Sequence, residues 1–329
     1  MNKTVLILGA NGRFGLAAVH AFAAAGWQVL AQVRRAPAAP LPAGARALPV
    51  AMEDTAALAA QAAGATLVVY AVNPLYWRWE QDLLPLFRQG LAVTQRLGAA
   101  FMLPGNVYNY GEAMPPLLQE HTPQQPSHRK GELRLAMELE LEALARDAGL
   151  ASVLIRAGDF YGSGSGTWLD QAIVKDLPRG KLVYPGPLDR AHAWAYLPDL
   201  ARAFVAVAER GVPAGCTRLH FAGHTLTGHE LLAAIDSAAA RLGLRPAAGF
   251  RVGGMPWALV RAVGLVKPMW RELARMSYLW RVPHALAGRA LARHAGALPD
   301  TPVADALAQT LCDLGLARAA QAQPQPQPA

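Results

Sequence analysis

The first 160 residues alternate short, wholly apolar runs with longer stretches in which apolar residues recur every three or four positions. Val5 to Leu8 reads as a first strand, Gly12 to Ala25 as a helix ended by Gly26, and Trp27 to Val33 as a second strand. A short strand over Leu48 to Ala51 follows, then a helix capped by Asp54 or Thr55 and running to Ala63. Thr66 to Val72 predicts a fourth strand, Leu84 to Leu97 a helix, and Ala100 to Leu103 the start of a fifth strand. Glu132 to Arg146 predicts a helix and Ser152 to Ile155 a sixth strand. Strands that read as unbroken apolar runs are covered on both faces, as parallel sheets are. Strands alternating with helices imply βαβ units with right-handed crossovers. The fold class expected is therefore α/β, a doubly wound parallel sheet.

Beyond residue 160 the rhythm breaks. Tyr161 to Gly166 is glycine-rich, Tyr184 to Leu188 is a turn, Pro198 to Glu209 a helix, and Arg218 to Phe221 a strand. Residues 228–242 and 256–312 read as mostly helical, a smaller C-terminal substrate domain. With 53% hydrophobic and 16% charged residues over 329 positions, most of the chain must pack a core. The closing run QAQPQPQPA cannot bury apolar area and is expected to be disordered. Two cysteines exclude a disulfide framework, and no Cys/His spacing suggests a metal site. Neither a signal peptide nor a transmembrane span is read, so the expected location is cytoplasmic. A net charge of +8 can attract nucleic acid, anionic lipid or a phosphorylated small molecule, but its arginines are dispersed with no block resembling a nucleic-acid arm, so most are read as solvated surface.

Gly9, Gly12 and Gly15 lie where the first strand turns into the first helix. Backbone N–H groups at a helix N-terminus receive a diphosphate, and glycines let it approach them. An acidic residue after the second strand would bind the ribose hydroxyls of NAD, but Arg34 and Arg35 stand there. A guanidinium suits a 2′-phosphate, and Arg13 in the loop is placed to approach the same group, so NADP(H) is expected in preference to NAD(H). On this reading residues 1–160 bind NADP(H), with 195–225 returning to that unit. Residues 161–194 and 226–318 form the substrate or lid domain, and 319–329 the tail.

The chain resembles the extended or atypical short-chain dehydrogenase/reductases, including the NAD-dependent epimerase/dehydratases and NmrA-like proteins. The resemblance rests on Gly9-Ala10-Asn11-Gly12-Arg13-Phe14-Gly15, on Val107-Tyr108, and on Glu120-x-x-Pro123-x-x-Pro126. Arg156-Ala157-Gly158-Asp159-Phe160-Tyr161-Gly162 and Trp194 to Ala201 extend it, so that it covers residues 1 to about 240. It implies a Rossmann-type cofactor domain and hydride transfer assisted by Ser/Thr and Tyr-x-x-x-Lys. None of the eight tyrosines is followed four residues later by lysine. By spacing, Lys130 stands at the tyrosine position, Arg134 at the lysine position, Glu138 at an acidic position, and Pro104 at or beside the Ser/Thr position.

The candidate catalytic residues are Lys130, Tyr108 and Asn106. Lysine is a proton donor once burial lowers its pKa, tyrosine donates to a carbonyl oxygen, and asparagine polarises one. Lys130, Arg134 and Glu138, spaced by four, share one helix face, which is either part of a site or a solvated, ion-paired surface. Cofactor contacts are expected from Gly9, Asn11, Gly12, Arg13, Phe14, Gly15, Arg34, Arg35, Ala71, Val72, Asn73 and Arg134. Substrate contacts are expected from Tyr110, Tyr161 and His192. Trp257, Trp270, Tyr278 and Trp280 interleave with arginines and Lys267. A helix from Pro268 to Trp280 either caps an aromatic substrate pocket, lies on a membrane surface, joins a homodimer interface, or packs in the core with its basic face solvated. The activity expected is NADP(H)-dependent oxidation or reduction of an alcohol or carbonyl on a small organic substrate. The alternatives are a non-catalytic NADP(H)-binding redox sensor, or a nucleotide-sugar epimerase or dehydratase.

Overall fold

The computed structural model describes residues 3–36, 40–298 and 300–317. The Gln/Pro tail predicted over 319–329 lies outside them.

In chain order the elements begin β1 (Thr4–Leu8), α1 (Arg13–Ala24), β2 (Gln28–Gln32), β3 (Ala45–Leu48) and α2 (Thr55–Gln61). They continue with β4 (Leu67–Tyr70), α3 (Trp79–Leu97), β5 (Ala100–Gly105), β6 (Leu117–Leu118), α4 (Arg129–Ala148) and β7 (Ser152–Arg156). Then come β8 (Asp159–Tyr161), β9 (Lys181–Tyr184), β10 (Ala191–Tyr196), α5 (Leu197–Arg210), β11 (Cys216–His220) and β12 (His224–Thr227). The rest are α6 (Gly228–Arg241), β13 (Arg251–Gly254), α7 (Trp257–Gly264), α8 (Pro268–Arg275), β14 (Ala285–Leu286), α9 (Arg289–Ala295) and α10 (Val303–Asp313).

Seven strands form one parallel sheet in the order β11-β7-β5-β4-β1-β2-β3, the doubly wound arrangement expected. The strand period of two divides its side chains between two cores. Val5 and Ile7 face α1 and α5, while Leu6 and Leu8 face the side of α2, α3 and α4. This explains why every residue of β1, β4 and β7 is buried. At about 25 cal/mol per Å² of apolar surface, such two-sided burial is the main stabilising contribution.

Several boundaries differ from the sequence reading. β3 occupies Ala45–Leu48, because Ala31 pairs with Ala47 and Gln32 with Leu48. The chain after residue 160 builds three small sheets where mostly helix was expected: β12-β10-β8, β13-β9 and β14-β6, in the last of which β14 pairs with β6 (Leu117–Leu118) from earlier in the chain. Their strands are short and do not alternate regularly, so periodicity did not mark them. The helix predicted from Pro268 to Trp280 gives way at Met276 to a 3₁₀ turn over Met276–Trp280. That turn buries Met276, Tyr278, Leu279 and Trp280, which a straight helix would spread around its axis. A third core, with Tyr161, Trp194, Leu231, Ile235 and Leu307, joins α6 and α10 to the small sheets.

Candidate active site

The turn between β1 and α1 has the geometry of an amide cradle. Gly9 adopts φ +77°, and a Cβ there would lie 3.0 Å from Val72 Cγ2. A Cβ on Gly15 would lie 2.3 Å from the Gly9 carbonyl oxygen, so only glycine lets α1 abut β1 this closely. The helix carries no acidic residue in its first turn, and its N-cap, Gly12, supplies no side-chain acceptor. Its first-turn amides are therefore left for an anion. These residues fit the diphosphate of a dinucleotide. Phe14 does not face this cradle: it is buried against Phe204, ring centroids 4.8 Å apart, and fastens α1 to α5.

At the end of β2, Gln32 accepts the Gly9 N–H at 3.1 Å and donates to the Val50 carbonyl at 2.8 Å. Arg34 and Arg35 follow, both exposed, and Asn11 Nδ2 donates to the Arg35 carbonyl at 2.9 Å. Arg13 departs from the expected direction. Its Nη1 donates to the Ser165 carbonyl at 3.1 Å, across to the 162–166 loop, so it bridges two glycine-rich loops instead of reaching the Arg34 side. Burial lowers the Arg13 pKa, with Asp170 opposing.

Beyond β4 and β5 a second group of side chains converges. Arg134 donates to Asn73 Oδ1 at 3.4 Å, and its guanidinium lies 4.7 Å from the Trp79 ring. Its Nε is buried without a partner, and burial lowers its pKa. Lys130 Nζ donates to the Tyr76 carbonyl, lies 3.3 Å from Glu272 Oε2 of α8, and sits 4.0 Å from the Tyr76 ring. Its side chain is only 4% exposed. Burial pulls the ammonium pKa below its ordinary value, while Glu272 pulls it back. The Tyr76 and Tyr108 hydroxyls are 3.5 Å apart. Burial, then Asp159, pushes Tyr108 up to about 12. Asn106 Oδ1 accepts the Tyr108 N–H at 3.1 Å and fixes this turn. A cleft of about 360 Å³ opens beside Lys130 and Glu272, lined also by Glu80, His128 and Arg275. A larger groove, about 860 Å³, runs along α1 and α5 and is lined by none of these site residues.

The face bearing Lys130, Arg134 and Glu138 is thus not a solvated ion-paired surface. Lys130 and Glu138 are buried. Glu138 accepts from Arg156 at 2.6 Å, from Asn109 at 2.8 Å, from Gln124 at 2.9 Å and from Arg218 at 2.8 Å. Burial raises its pKa, but Arg156, Arg218 and Gln124 outweigh that and hold the carboxyl below its ordinary value.

The expected substrate residues are not brought together. Tyr110 donates its hydroxyl to His220 Nε2, 3.0 Å away, because His220 Nδ1 is occupied by the Leu118 carbonyl. Tyr161 likewise donates to His224 Nδ1 at 2.7 Å, because His224 Nε2 faces the Thr301 carbonyl. Both hydroxyls are thus committed to buried internal pairs. His192 pairs with Asp159 at 2.9 Å and stacks on Trp280, 4.4 Å between centroids and 8° from parallel. Sequence reasoning missed Asp159, Glu272, Tyr76 and Trp79. The run Tyr76-Trp77-Arg78-Trp79 directly after a core strand was the available signal for two of them.

Two buried histidines limit acid tolerance. Burial pushes His220 down to about 4, with Arg156 adding to it, and His284 down to about 4, with His192 adding. Above the ordinary histidine value of 6.5 both rings are neutral, folded or unfolded. As pH falls from there towards about 4, the unfolded chain takes up these protons first and stability is lost. At about 1.4 kcal/mol per unit the two sites together cost several kcal/mol. The thermal midpoint should fall over this interval, and His220→Gln should flatten the fall. A midpoint insensitive to pH there would contradict the assignment.

A seven-stranded doubly wound sheet with a glycine cradle at β1–α1 defines a Rossmann-type dinucleotide-binding protein. The model of the NAD dependent epimerase/dehydratase family matches residues 5–216, and the chain belongs to that family. No curated protein sequence matches the chain. Among solved structures, UDP-glucose 4-epimerase from Thermotoga maritima superposes with a TM-score of 0.72 at 16% identity, covering 94% of this chain and 98% of that one. UDP-N-acetylglucosamine 4-epimerase from Bacillus cereus gives 0.71 at 14%, covering 95% and 99%. A dTDP-glucose 4,6-dehydratase from Streptomyces venezuelae, solved with NAD and TYD bound, gives 0.69 at 18%, covering 94% and 96%. At these identities the likeness is one of fold.

Proposed function

We propose that the protein is an NADP(H)-dependent oxidoreductase that reduces a carbonyl on a small organic substrate. The observation that carries this reading is the convergence of Tyr108, Lys130 and Arg134 beside the carboxyl ends of β4 and β5, next to the amide cradle. Gly9, Asn11, Gly12 and Gly15 would hold the diphosphate, Arg34 and Arg35 the 2′-phosphate, and Arg134 the nicotinamide ribose, with Ala71, Val72 and Asn73 alongside. When bound, the cofactor supplies the hydride. Tyr108, held by Tyr76 and by the Asn106 staple, donates a hydrogen bond to the substrate oxygen. Arg134 stabilises negative charge developing there. Lys130 delivers the proton that reduction consumes, and its lowered pKa makes it a better acid than a solvated lysine.

Family membership favours a second reading, a nucleotide-sugar epimerase or dehydratase, which would regenerate its cofactor within each turnover. The two separate in one assay. NADPH is incubated with a panel of aldehydes and ketones while reduced-nicotinamide absorbance is followed, and UDP- and dTDP-sugars are tested in parallel for product without net cofactor change. Net oxidation of NADPH is expected, with Lys130→Met lowering kcat by about 10² to 10⁴. The double change Arg34→Ala/Arg35→Ala should weaken NADPH binding by about ten- to a hundredfold and leave NADH nearly unaffected. Sugar conversion without net oxidation selects the second reading. Equal affinity of the unaltered protein for both nucleotides removes the NADP preference.

A further inference from the structure

We propose that the α7–α8 hairpin is a membrane-docking element, its tip entering the headgroup region of an anionic bilayer. The hairpin presents apolar side chains to solvent in a way the rest of the described surface does not. Leu265 is 82% and Val266 78% exposed, adjacent at the tip, with Leu259 54% and Trp270 39% exposed on the flanking helices. Leu259 lies in α7, Leu265 and Val266 form the turn that ends it, and Trp270 lies in α8. Apolar side chains this exposed, together, mark a contact surface.

The backbone of the tip suits a medium poor in water. Leu265 N–H donates to the Ala262 carbonyl at 3.2 Å, and Val266 and Lys267 both donate to the Val263 carbonyl, at 3.1 and 2.9 Å. Pro268 has no N–H. The Leu265, Val266 and Lys267 amides thus enter the interface already paired within the hairpin. The hairpin is also stiff: a Cβ on Gly264 would lie 3.0 Å from Arg271 Cα, so the two helices meet backbone to backbone. Its base is anchored, with Val260 buried and Trp257 Nε1 donating to the Pro185 carbonyl at 2.6 Å.

Charge decides the partner. From Ser237 to Arg271 the sequence holds six arginines and lysines and no aspartate or glutamate. Arg251, Arg261, Lys267 and Arg271 are exposed, while the ion pairs of this region use Arg241 with Asp305, Arg245 with Asp236 and Arg275 with Glu272. Adjacent aliphatic residues, a tryptophan and a basic surround make the composition of an interfacial element. A second copy of the chain would place the same positive charges against one another, which disfavours a symmetric dimer here. Among the described residues no helix is long and apolar enough to cross a membrane, so the mode is surface docking.

The test is co-sedimentation of the full chain with vesicles of phosphatidylcholine containing about a third phosphatidylglycerol, against phosphatidylcholine alone. Binding to the anionic vesicles is expected, falling at least about tenfold on neutral vesicles or at about 0.5 M salt. Leu265→Asp/Val266→Asp should abolish it without moving the thermal midpoint, since both side chains are solvent-exposed. Arg261→Gln/Lys267→Gln should weaken it several-fold. No binding, or binding indifferent to the tip variant, overturns the proposal. So does a concentration-dependent dimer that the tip variant dissolves, which would assign the surface to a second copy.

Discussion

Gly15→Ala is expected to weaken dinucleotide binding by on the order of a hundredfold, about 2.7 kcal/mol. The new Cβ would stand 2.3 Å from the Gly9 carbonyl oxygen and 2.9 Å from Ala10 Cα. Both obstacles are backbone, so no side chain can rotate out of the way. The start of α1 must swing off β1, which carries its free first-turn amides out of the cradle. Gly12→Ala is the built-in comparison. Its Cβ would meet the same oxygen at 3.2 Å, a contact relieved by a few tenths of an ångström, and its effect should be the smaller of the two. Calorimetric titration with NADPH and NADH reads both variants, with circular dichroism to show that each is folded. A folded Gly15→Ala protein with unchanged affinity would end the claim that this turn holds the cofactor.

That glycine loop was legible because its requirement is local: strand, turn and helix are contiguous, and sterics alone select the residues. The doubly wound, parallel class of the central sheet was legible for the same reason, since each βαβ unit is read from a continuous stretch, whereas the strand order came from the structure. The side chains around Lys130 come from distant segments. Glu272 arrives from α8, 142 positions later in the numbering, and no periodicity announces that it will face Lys130. Tyr110 lies beyond β5 and Tyr161 closes β8, and so both resembled site residues. Their hydroxyls turn inward because His220 and His224, from an edge strand and a small sheet, each leave one ring nitrogen to accept. The four-residue spacing of Lys130, Arg134 and Glu138 gave a shared face correctly. Whether that face is wet or buried depended on Arg156 and Arg218, whose strands pair beside each other at β7 and β11.

The same network supports the other large effect. Glu138→Ala should destabilise the protein by about 3 to 5 kcal/mol, the cost of leaving a buried charge without its partner. Arg156 has no exposed side-chain area, already has an unpartnered Nε, and relies on Glu138 for its only ion pair among the described residues. Arg218 would keep Glu142, but Asn109 and Gln124 would each lose an acceptor. The consequence reaches the candidate site, because Arg156 also donates to the Asn106 carbonyl, and Asn106 staples Tyr108. Denaturant unfolding of Glu138→Ala, Arg156→Met and the double variant separates pairing from packing. Removing both charges should cost less than the two single losses added together, by at least about 1 kcal/mol. An alanine variant within about 0.5 kcal/mol of the unaltered protein would mean that Arg156 finds water or another acceptor, and the buried pair would then no longer explain the order of the Asn106–Tyr108 turn.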